Sequence, residues 1–138
     1  GFIGSSLCER LIEDGHQVVG VDNLFRGQKD HLDSLAAHPM FQFVEGDVSQ
    51  EHVLDDCEKV LGGFDLVHHL AAINGTKWFH EAARSVIDVN INGTLRTLEL
   101  AMANDARYVF ASSPEAFGEP ESQPITDGDA MIFSNPAL

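Results

Sequence analysis

The stretch that decides the fold is GFIGSSLCERLIEDGHQVVGVDN, residues 1–23, in which a helical pattern runs into a buried strand. Apolar residues recur at helical spacing, and Gly15 follows them as the predicted end of the helix. The strand pattern QVVGVD, at 17–22, then ends on an aspartate. Gly1 and Gly4 open the helix, and this spacing fits either part of a phosphate-binding loop or a helix start that happens to contain glycine.

Helical and strand patterns alternate along the rest of the chain. Further strands are predicted at 41–47, 64–72 and 107–113, longer helices at 49–63 and 84–104, and loops with a short helix at 23–39 and 73–83. The helix at 84–104 carries Ile87, Ile91, Leu95, Leu98 and Met102 on one face. The remainder, 114–138, is predicted to be loop. This alternation predicts one α/β domain over residues 1–138, with a doubly wound parallel sheet whose strands are buried on both sides.

Ligands of such sheets bind where the strands end, so the residues at the predicted strand ends should face one crevice. These residues are Asp22, Asp47, Ala71, Ala72, Ser112 and Ser113. An acidic residue about 20 positions after a glycine-rich turn is the usual partner of a dinucleotide's ribose. Asp22 meets that description, because it follows Gly4 by 18 residues.

The composition excludes several classes of partner. Among 138 residues, 22 acidic side chains oppose eight lysines and arginines, which gives a net charge of -14. Such a surface repels a polyphosphate backbone, so nucleic-acid binding is not expected. No apolar run approaches the roughly 20 residues of a membrane span, and no signal-peptide pattern precedes Gly1, so we expect a cytoplasmic protein without a membrane partner.

Cysteines and histidines do not form a metal-ligand pattern. Cys8 and Cys57 lie on separate predicted helices and are interpreted as small buried apolar residues. The one adjacent histidine pair, His68 and His69, lies in a strand, where neighbouring side chains point to opposite faces. We therefore predict no metal site.

Five segments taken together resemble one protein family. They are GFIGSSLCERLIEDGHQVVGVDNLFRG, FVEGDV, HLAA, VNINGTLRTLELA and ASSPEAFGEP, and they span nearly all of residues 1–120. In order and spacing they resemble the N-terminal half of the extended short-chain dehydrogenase/reductases, specifically the NAD-dependent nucleotide-sugar epimerase/dehydratase family. The resemblance implies a Rossmann-like fold, NAD as cofactor, a nucleotide-sugar substrate that reacts through a keto intermediate, and a homodimer of the full-length protein.

The resemblance also implies a set of cofactor-binding residues. Gly1 and Gly4 would belong to a GxxGxxG loop, and Phe2 and Ile3 would offer backbone amides to the pyrophosphate. Asp22, with Asn23 beside it, would hold the adenosine ribose and favour NAD over NADP. Asp47 and Val48 would flank adenine, Leu70, Ala71 and Ala72 would let the backbone approach the cofactor, Asn90 would contact backbone near the active site, and Ser112 would face the same crevice.

Each of these residues also has a purely structural interpretation. Asp22 and Asp47 are residue types that cap helices and close turns. The two alanines fit ordinary packing, and Asn90 fits a solvated helix position. Without the other segments, these interpretations would be preferred.

The segment ASSPEAFG supplies the catalytic candidates. By resemblance, Ser113 would hydrogen-bond the reacting sugar hydroxyl, and Glu115 would act as an acid or base; the alternative for Glu115 is a solvated loop residue. The 4,6-dehydratases of the family carry Asp where this chain has Pro114, which cannot donate a proton, so the dehydratase assignment is weakened. Epimerase-like and decarboxylase-like activities stay open.

Two expected parts of the family pattern are missing. The catalytic YxxxK motif is absent, because the only tyrosine is Tyr108, inside a strand, and no lysine follows Lys77. FSNPAL, at 133–138, resembles the approach to that motif, so we expect a chain truncated at both ends, without its first strand and without turnover of its own. The strands ending at Asp22 and Leu70 would then lack their shared neighbour. Alternatives are a dinucleotide-sensing module and an unrelated flavodoxin-like domain.

Overall fold

The computed structural model of the chain describes residues 1–118 and 123–126. Its helices are α1 (Phe2–Glu13), α2 (Glu51–Leu61), α3 (Thr76–Glu81), α4 (Ala83–Ile87) and α5 (Thr94–Ala103), and its strands are β1 (Val18–Asp22), β2 (Phe41–Glu45), β3 (Leu66–His69) and β4 (Arg107–Phe110). Short 3₁₀ turns occupy Lys29–Leu32 and Pro114–Phe117, and a π-helical turn occupies Asp88–Gly93. The predicted strands are all present, although each of the last three ends before its predicted boundary. The segment FSNPAL lies outside the described residues.

The strands form two parallel pairs instead of one continuous sheet. β1 pairs with β2 from Val18 opposite Phe41, and β3 pairs with β4 from Leu66 opposite Arg107. β1 and β3 do not hydrogen-bond to each other, as predicted for strands without a shared neighbour. The α/β class and the parallel pairing are therefore confirmed, and a cleft separates the two pairs.

The first pair lies on an apolar core. Ile12, Val18, Leu35 and Phe41 are buried together, with α1 packed against β1. Gly20 has a packing reason to lack a side chain, because a Cβ there would lie 3.1 Å from the Phe41 ring. The apolar face of α1 and the apolar residues of β1 and β2 thus pack in one cluster, as the sequence pattern predicts.

The second pair is much less covered. In β4, Val109 is 39% and Phe110 49% exposed, and in β3, Leu66 is 37% exposed. The prediction that all strands are buried on both sides is wrong for both pairs, since the buried strand residues are Val18, Phe41 and His69, and it fails most clearly for this pair. The physical reason is the division of the sheet, since a two-stranded pair has an open edge and less helix surface against its faces.

The predicted helix at 84–104 is divided into α4, the π-helical turn and α5. Its apolar face does not point into the core of the described residues. Ile87, Ile91, Leu95, Leu98 and Met102, called the apolar stripe below, are all exposed, and Met102 is 72% exposed. Residues on other faces of the same segment, among them Val89 and Ala101, are buried instead. Within the described residues, no helix is long and apolar enough to cross a membrane.

Candidate functional site

The cleft between the two strand pairs has a volume of about 1530 Å³. Most of the predicted cofactor-binding residues line it: Gly1, Phe2, Ile3, Gly4, Asp22, Asn23, Asp47, Val48, Leu70, Ala71, Ala72 and Ser112. They come from α1 and from the loops that follow β1, β2, β3 and β4. The cleft runs the length of the gap between the pairs and also reaches the amino ends of β1, β3 and β4, at Gln17, Asp65 and Arg107. The predicted site residues lie towards the carboxyl ends of the strands, where such sheets bind ligands.

The N-terminus of α1 faces the end of β1 across this cleft. The terminal ammonium group of Gly1 forms an ion pair with Asp22 Oδ2 at 2.8 Å. No side chain caps α1, and the first amides of any helix lack partners within the helix. Backbone N–H groups at such an end, together with the helix dipole, favour a bound phosphate. Binding of a cofactor by Asp22 and by the first amides of α1 stays a prediction.

The turn after β1 is held by its own side chains. Asp22 Oδ1 accepts the Leu24 amide at 2.7 Å, and Leu24 adopts a left-handed φ of 57°. Asn23 Oδ1 accepts the Phe25 amide at 3.0 Å. The Asn23 side-chain amide donates to Asp47 Oδ2 at 2.9 Å, which joins the ends of β1 and β2. The structural and ligand-binding interpretations of these polar residues are therefore compatible, because the turn contacts orient the carboxylates.

Asp47 is also held as a carboxylate. Its Oδ1 accepts the Ser49 amide at 2.9 Å, in addition to the bond from Asn23. Burial opposes ionisation, but these hydrogen bonds outweigh it and lower the pKa of Asp47. At neutral pH this position is therefore an acceptor only, as expected of a group that receives hydrogen bonds from an amine or a hydroxyl.

Val48 connects the β2 loop to the distant helix. It is buried, and a Cβ on Gly93 would lie only 2.8 Å from Val48 Cγ2. Gly93 ends the π-helical turn, so the absence of a side chain lets that turn approach the loop. This contact accounts for the glycine of the NINGT segment by packing.

The loop after β3 is held by Asn90. Its Oδ1 accepts the Ile73 amide at 2.8 Å, and its Nδ2 donates to the Ile73 carbonyl at 3.1 Å. Asn90 lies in the π-helical turn, an element that is frequent at functional sites. The turn formed by Leu70, Ala71 and Ala72 is thereby fixed against the helix. A direct contact between Asn90 and a cofactor stays a prediction.

A second cleft, of about 400 Å³, adjoins the first at the end of β3. It is lined by Asn90, Thr94, Ser112 and Ser113, and the clefts share the turn at 70–72. Ser113 lines this second cleft but not the first. Ser112 lines both clefts.

Glu115 is placed differently from the expectation of a cleft residue. It lies in the 3₁₀ turn Pro114–Phe117, is exposed, and lines neither cleft. The Ser113 hydroxyl donates a hydrogen bond to Glu115 Oε2. That bond lowers the pKa of Glu115, so its carboxyl group is ionised at neutral pH. A catalytic role for Glu115 stays a prediction.

Sequence reasoning missed the contacts that join the loops after β1 and β3. The Arg26 guanidinium donates to the Asn74 carbonyl at 3.0 Å. The rings of Phe25 and Trp78 lie 4.7 Å apart. No sequence pattern signals these pairs, because the partners are about 50 residues apart in the chain. It also missed His69 and Thr94, for which the polar spacing of Asn90, Thr94 and Thr97 on one helical face is a usable signal.

The residues present fit a dinucleotide better than a metal ion. Among residues 1–118 and 123–126, no group of three or more His, Cys, Asp or Glu side chains could hold a metal ion. One open cleft is lined by the N-terminus of α1, which no side chain caps, and by the turn at 70–72. The Asp22 carboxylate, whose Oδ2 is 2.8 Å from the Gly1 nitrogen, lines the same cleft. Fold and cleft together define a Rossmann-type dinucleotide-binding domain.

The chain belongs to the NAD dependent epimerase/dehydratase family, whose model matches residues 1–136. It is 32% identical to a UDP-N-acetyl-alpha-D-glucosaminuronate decarboxylase of Bacillus cytotoxicus over 96% of this chain and 40% of that protein. It thus spans well under half of that relative's length.

Solved structures agree with the family. The Bordetella bronchiseptica enzyme WbmH in complex with NAD+ is matched with a TM-score of 0.77 and 30% identity, over 99% of this chain and 44% of that one. The Thermus thermophilus UDP-glucose 4-epimerase complex with NAD is matched with a TM-score of 0.77 and 25% identity, over 96% of this chain and 42% of that one.

Proposed function

We propose that the chain forms the NAD-binding part of an enzyme that acts on a nucleotide-linked sugar. The observation that carries the proposal is the single cleft into which α1 and the ends of β1, β2 and β3 bring Gly1, Asp22, Asp47 and Ala71. Support comes from the family description and from the two related structures that hold NAD. When bound, NAD takes hydride from a sugar carbon and can return it.

Each part of the cleft has a role in this proposal. The first amides of α1 bind the pyrophosphate, with Phe2 and Ile3 supplying two of them. Asp22 accepts hydrogen bonds from the adenosine ribose and disfavours a 2′-phosphate through charge repulsion. Asp47 accepts a hydrogen bond from the adenine amine, and Val48 packs against the ring. The turn at 70–72 gives the nicotinamide end a wall of small residues.

Ser113 faces the reacting carbon in the second cleft. Its hydroxyl, which donates to Glu115 in this structure, would turn to donate its one proton to the oxygen of the sugar as that carbon is oxidised to a ketone. The proton lost from the sugar hydroxyl requires a base, and no YxxxK motif occurs in these 138 residues. We therefore expect cofactor binding but no turnover from the chain by itself.

Isothermal titration of the chain with NAD and with NADP tests the cofactor assignment. Asp22→Asn should weaken NAD binding about tenfold, or about 1.4 kcal/mol, and reduce the preference for NAD over NADP. Asp33→Asn, which makes the same charge change at an exposed position outside both clefts, is the control. Equal affinity of wild type and Asp22→Asn for both dinucleotides would contradict the assignment.

The reaction that follows oxidation divides two candidate functions. An epimerase returns hydride to the opposite face of the keto-sugar, as the family description and the UDP-glucose 4-epimerase match support. A decarboxylase instead loses CO₂ from a keto-sugar that carries a carboxylate, and the Bacillus relative favours this second candidate. Both share the residues described above.

Assays of the natural gene product decide between them. UDP-glucose, UDP-N-acetylglucosamine and their uronic acid forms are supplied in turn, and products are followed by NMR and by release of CO₂. Ser113→Ala should lower kcat about 10²-fold for whichever substrate reacts, because one oxyanion donor is lost. A Ser113→Ala enzyme with unchanged kcat would remove Ser113 from the mechanism without removing the NAD site.

We propose further that the protein is a homodimer joined through the apolar stripe. The stripe runs about 22 Å along the helical segment 87–102, at 1.5 Å per residue, and all five of its side chains are exposed. Monomeric surfaces seldom leave such a row of large apolar side chains in water. A two-fold pair of stripes would be self-complementary, with antiparallel helices.

Light scattering of the natural gene product tests the dimer. Leu95→Glu, in the middle of the stripe, should convert a dimer to a monomer, while Glu99→Gln on the same helix should not. A wild-type monomer, or a dimer unaffected by Leu95→Glu, would overturn the assignment; burial of the stripe by another segment of the protein would be one such outcome.

We also propose a cytoplasmic location, supported by the free thiols of Cys8 and Cys57 and testable by cell fractionation.

A further inference from the structure

A buried imidazole lies directly before the turn that borders both clefts. His69 is 3% exposed and is the last residue of β3. Its Nδ1 lies 3.0 Å from Thr97 Oγ1, and its Nε2 lies 3.1 Å from Thr94 Oγ1. Both ring nitrogens therefore contact α5, one helical turn apart.

Each threonine hydroxyl of this cluster has one proton and a choice of acceptors. Thr94 Oγ1 lies 2.7 Å from the Asn90 carbonyl and 3.1 Å from Nε2 of His69. Thr97 Oγ1 lies 2.8 Å from the Gly93 carbonyl and 3.0 Å from Nδ1 of His69. A neutral ring therefore donates from one nitrogen to one threonine oxygen and accepts at the other nitrogen from the other threonine. Both ring nitrogens are satisfied in this way without a charge on the ring.

The surroundings of the ring agree with a neutral imidazole. The ring of Phe110 stacks against it at 5.8 Å and that of Tyr108 at 6.3 Å. Burial lowers the pKa of His69, because the cationic form would lose its hydration. Two hydroxyl groups and two aromatic rings thus hold the imidazole in one orientation.

The same helix face carries Asn90, one turn before Thr94. Thr94 Oγ1 lies within hydrogen-bond distance of the ring and of the Asn90 carbonyl. The Asn90 side chain forms hydrogen bonds with the backbone N–H and C=O groups of Ile73. Strand β3, the helix and the loop after β3 are therefore joined by one continuous set of hydrogen bonds. The turn at 70–72 lies between its two attachment points, His69 and Ile73.

We propose that His69 is a positioning residue, which as a neutral imidazole locks α5 to β3 and thereby sets the turn at 70–72 against the cofactor. The inference deepens the proposed function and rests on it for the cofactor. His69 does not touch the reacting atoms in this assignment. Its effect on the site passes through Thr94, Asn90 and the loop.

The protonation of the ring is tested first, by long-range ¹H–¹⁵N NMR of the histidine rings at neutral pH. The expected result is a His69 ring with a proton on one nitrogen only. A ring protonated at both nitrogens would overturn the proposal. This readout requires no cofactor and would not be fixed by packing alone.

Variants then test the positioning effect. His69→Leu removes the link but leaves both threonine hydroxyls satisfied by their own helix, since Thr97 Oγ1 lies 2.8 Å from the Gly93 carbonyl and Thr94 Oγ1 lies 2.7 Å from that of Asn90. It should increase hydrogen exchange of the Ile73 amide and weaken NAD binding about tenfold. Thr97→Ser should retain wild-type values and Thr97→Val should not. His52→Gln, at an exposed site on α2, is the control.

The outcomes separate this inference from the proposed function. If the wild-type chain does not bind NAD, the cofactor assignment fails, while exchange of the Ile73 amide still judges His69. If His69→Leu leaves the Ile73 amide as protected as in wild type, His69 is not a positioning residue, even where NAD binds. Equal behaviour of Thr97→Ser and Thr97→Val would also overturn it.

Discussion

The two strand pairs of this chain are stabilised by different interactions. The β1–β2 pair lies on a compact apolar cluster that includes Ile12, Leu35 and Phe41. The β3–β4 pair exposes much of its apolar surface and is held instead by the hydrogen bonds of His69 and its neighbours. The first pair supplies the predicted adenosine end of the cleft, and the second supplies the end where chemistry would occur.

The difference teaches how each end of the site keeps its shape. Apolar burial is non-directional, so it tolerates conservative substitution as long as volume is maintained. Hydrogen bonds among buried groups are directional, and loss of one partner leaves another unsatisfied. We therefore expect the free energy of unfolding to depend most on the first pair. The position of the loop after β3 should depend most on the second pair.

Phe41→Ala should have the largest effect on stability. Phe41 is 6% exposed, and truncation of a buried phenylalanine costs about 3–5 kcal/mol through lost burial and a residual cavity. Urea unfolding followed by circular dichroism measures the change. The matched variant in the second pair, Phe110→Ala, removes a ring that is 49% exposed and should cost less than half as much. Equal losses would break the comparison between the pairs.

Gly93→Ala tests the contact that joins the two halves. The added methyl group would meet Val48 Cγ2 at 2.8 Å, and overpacking of this kind costs about 1–3 kcal/mol. Val48→Ala makes room for it, so the double variant should recover part of the stability that Gly93→Ala loses. Thermal unfolding of the four proteins of this cycle gives the coupling between the sites. Strict additivity would show that the contact does not limit the approach of the helix.

The smallest expected effect is the pH dependence that Asp47 contributes. Its pKa is lowered on folding, so its stabilising contribution is fully present above the pKa of the unfolded chain, near 4, and is lost as pH falls through the folded value. Because the carboxylate is partly solvated, the contribution is less than about 1 kcal/mol.

Urea unfolding at pH 7 and pH 3 measures this contribution. Asp47→Asn should reduce stability at pH 7 and differ less from wild type at pH 3. Asp33→Asn, at an exposed position, should show no such convergence. A difference between wild type and Asp47→Asn that is the same at both pH values would contradict the hydrogen-bond explanation of the lowered pKa.

Much of the fold could be predicted from local pattern. The alternation of helices and strands and the parallel pairing follow from periodicity, because burial at a fixed period is a property of neighbouring positions. The family follows from the resemblance of five segments, which include Gly4 and Asp22. The strand ends predict that Asp47, Ala71 and Ser112 share one crevice, and all three line the cleft.

The polar attachments could not be predicted in this way. His69 and Thr97, or Arg26 and Asn74, are paired only after the strands have set the distance between segments far apart in the chain. The exposure of the apolar stripe is similar, since a periodic face predicts burial without saying what covers it. The sequence by itself thus determined the element order and which strand ends line the cleft. Only the tertiary structure decided which hydrogen bonds fix the loops beside the cleft, because direction and distance in space are not encoded in a local period.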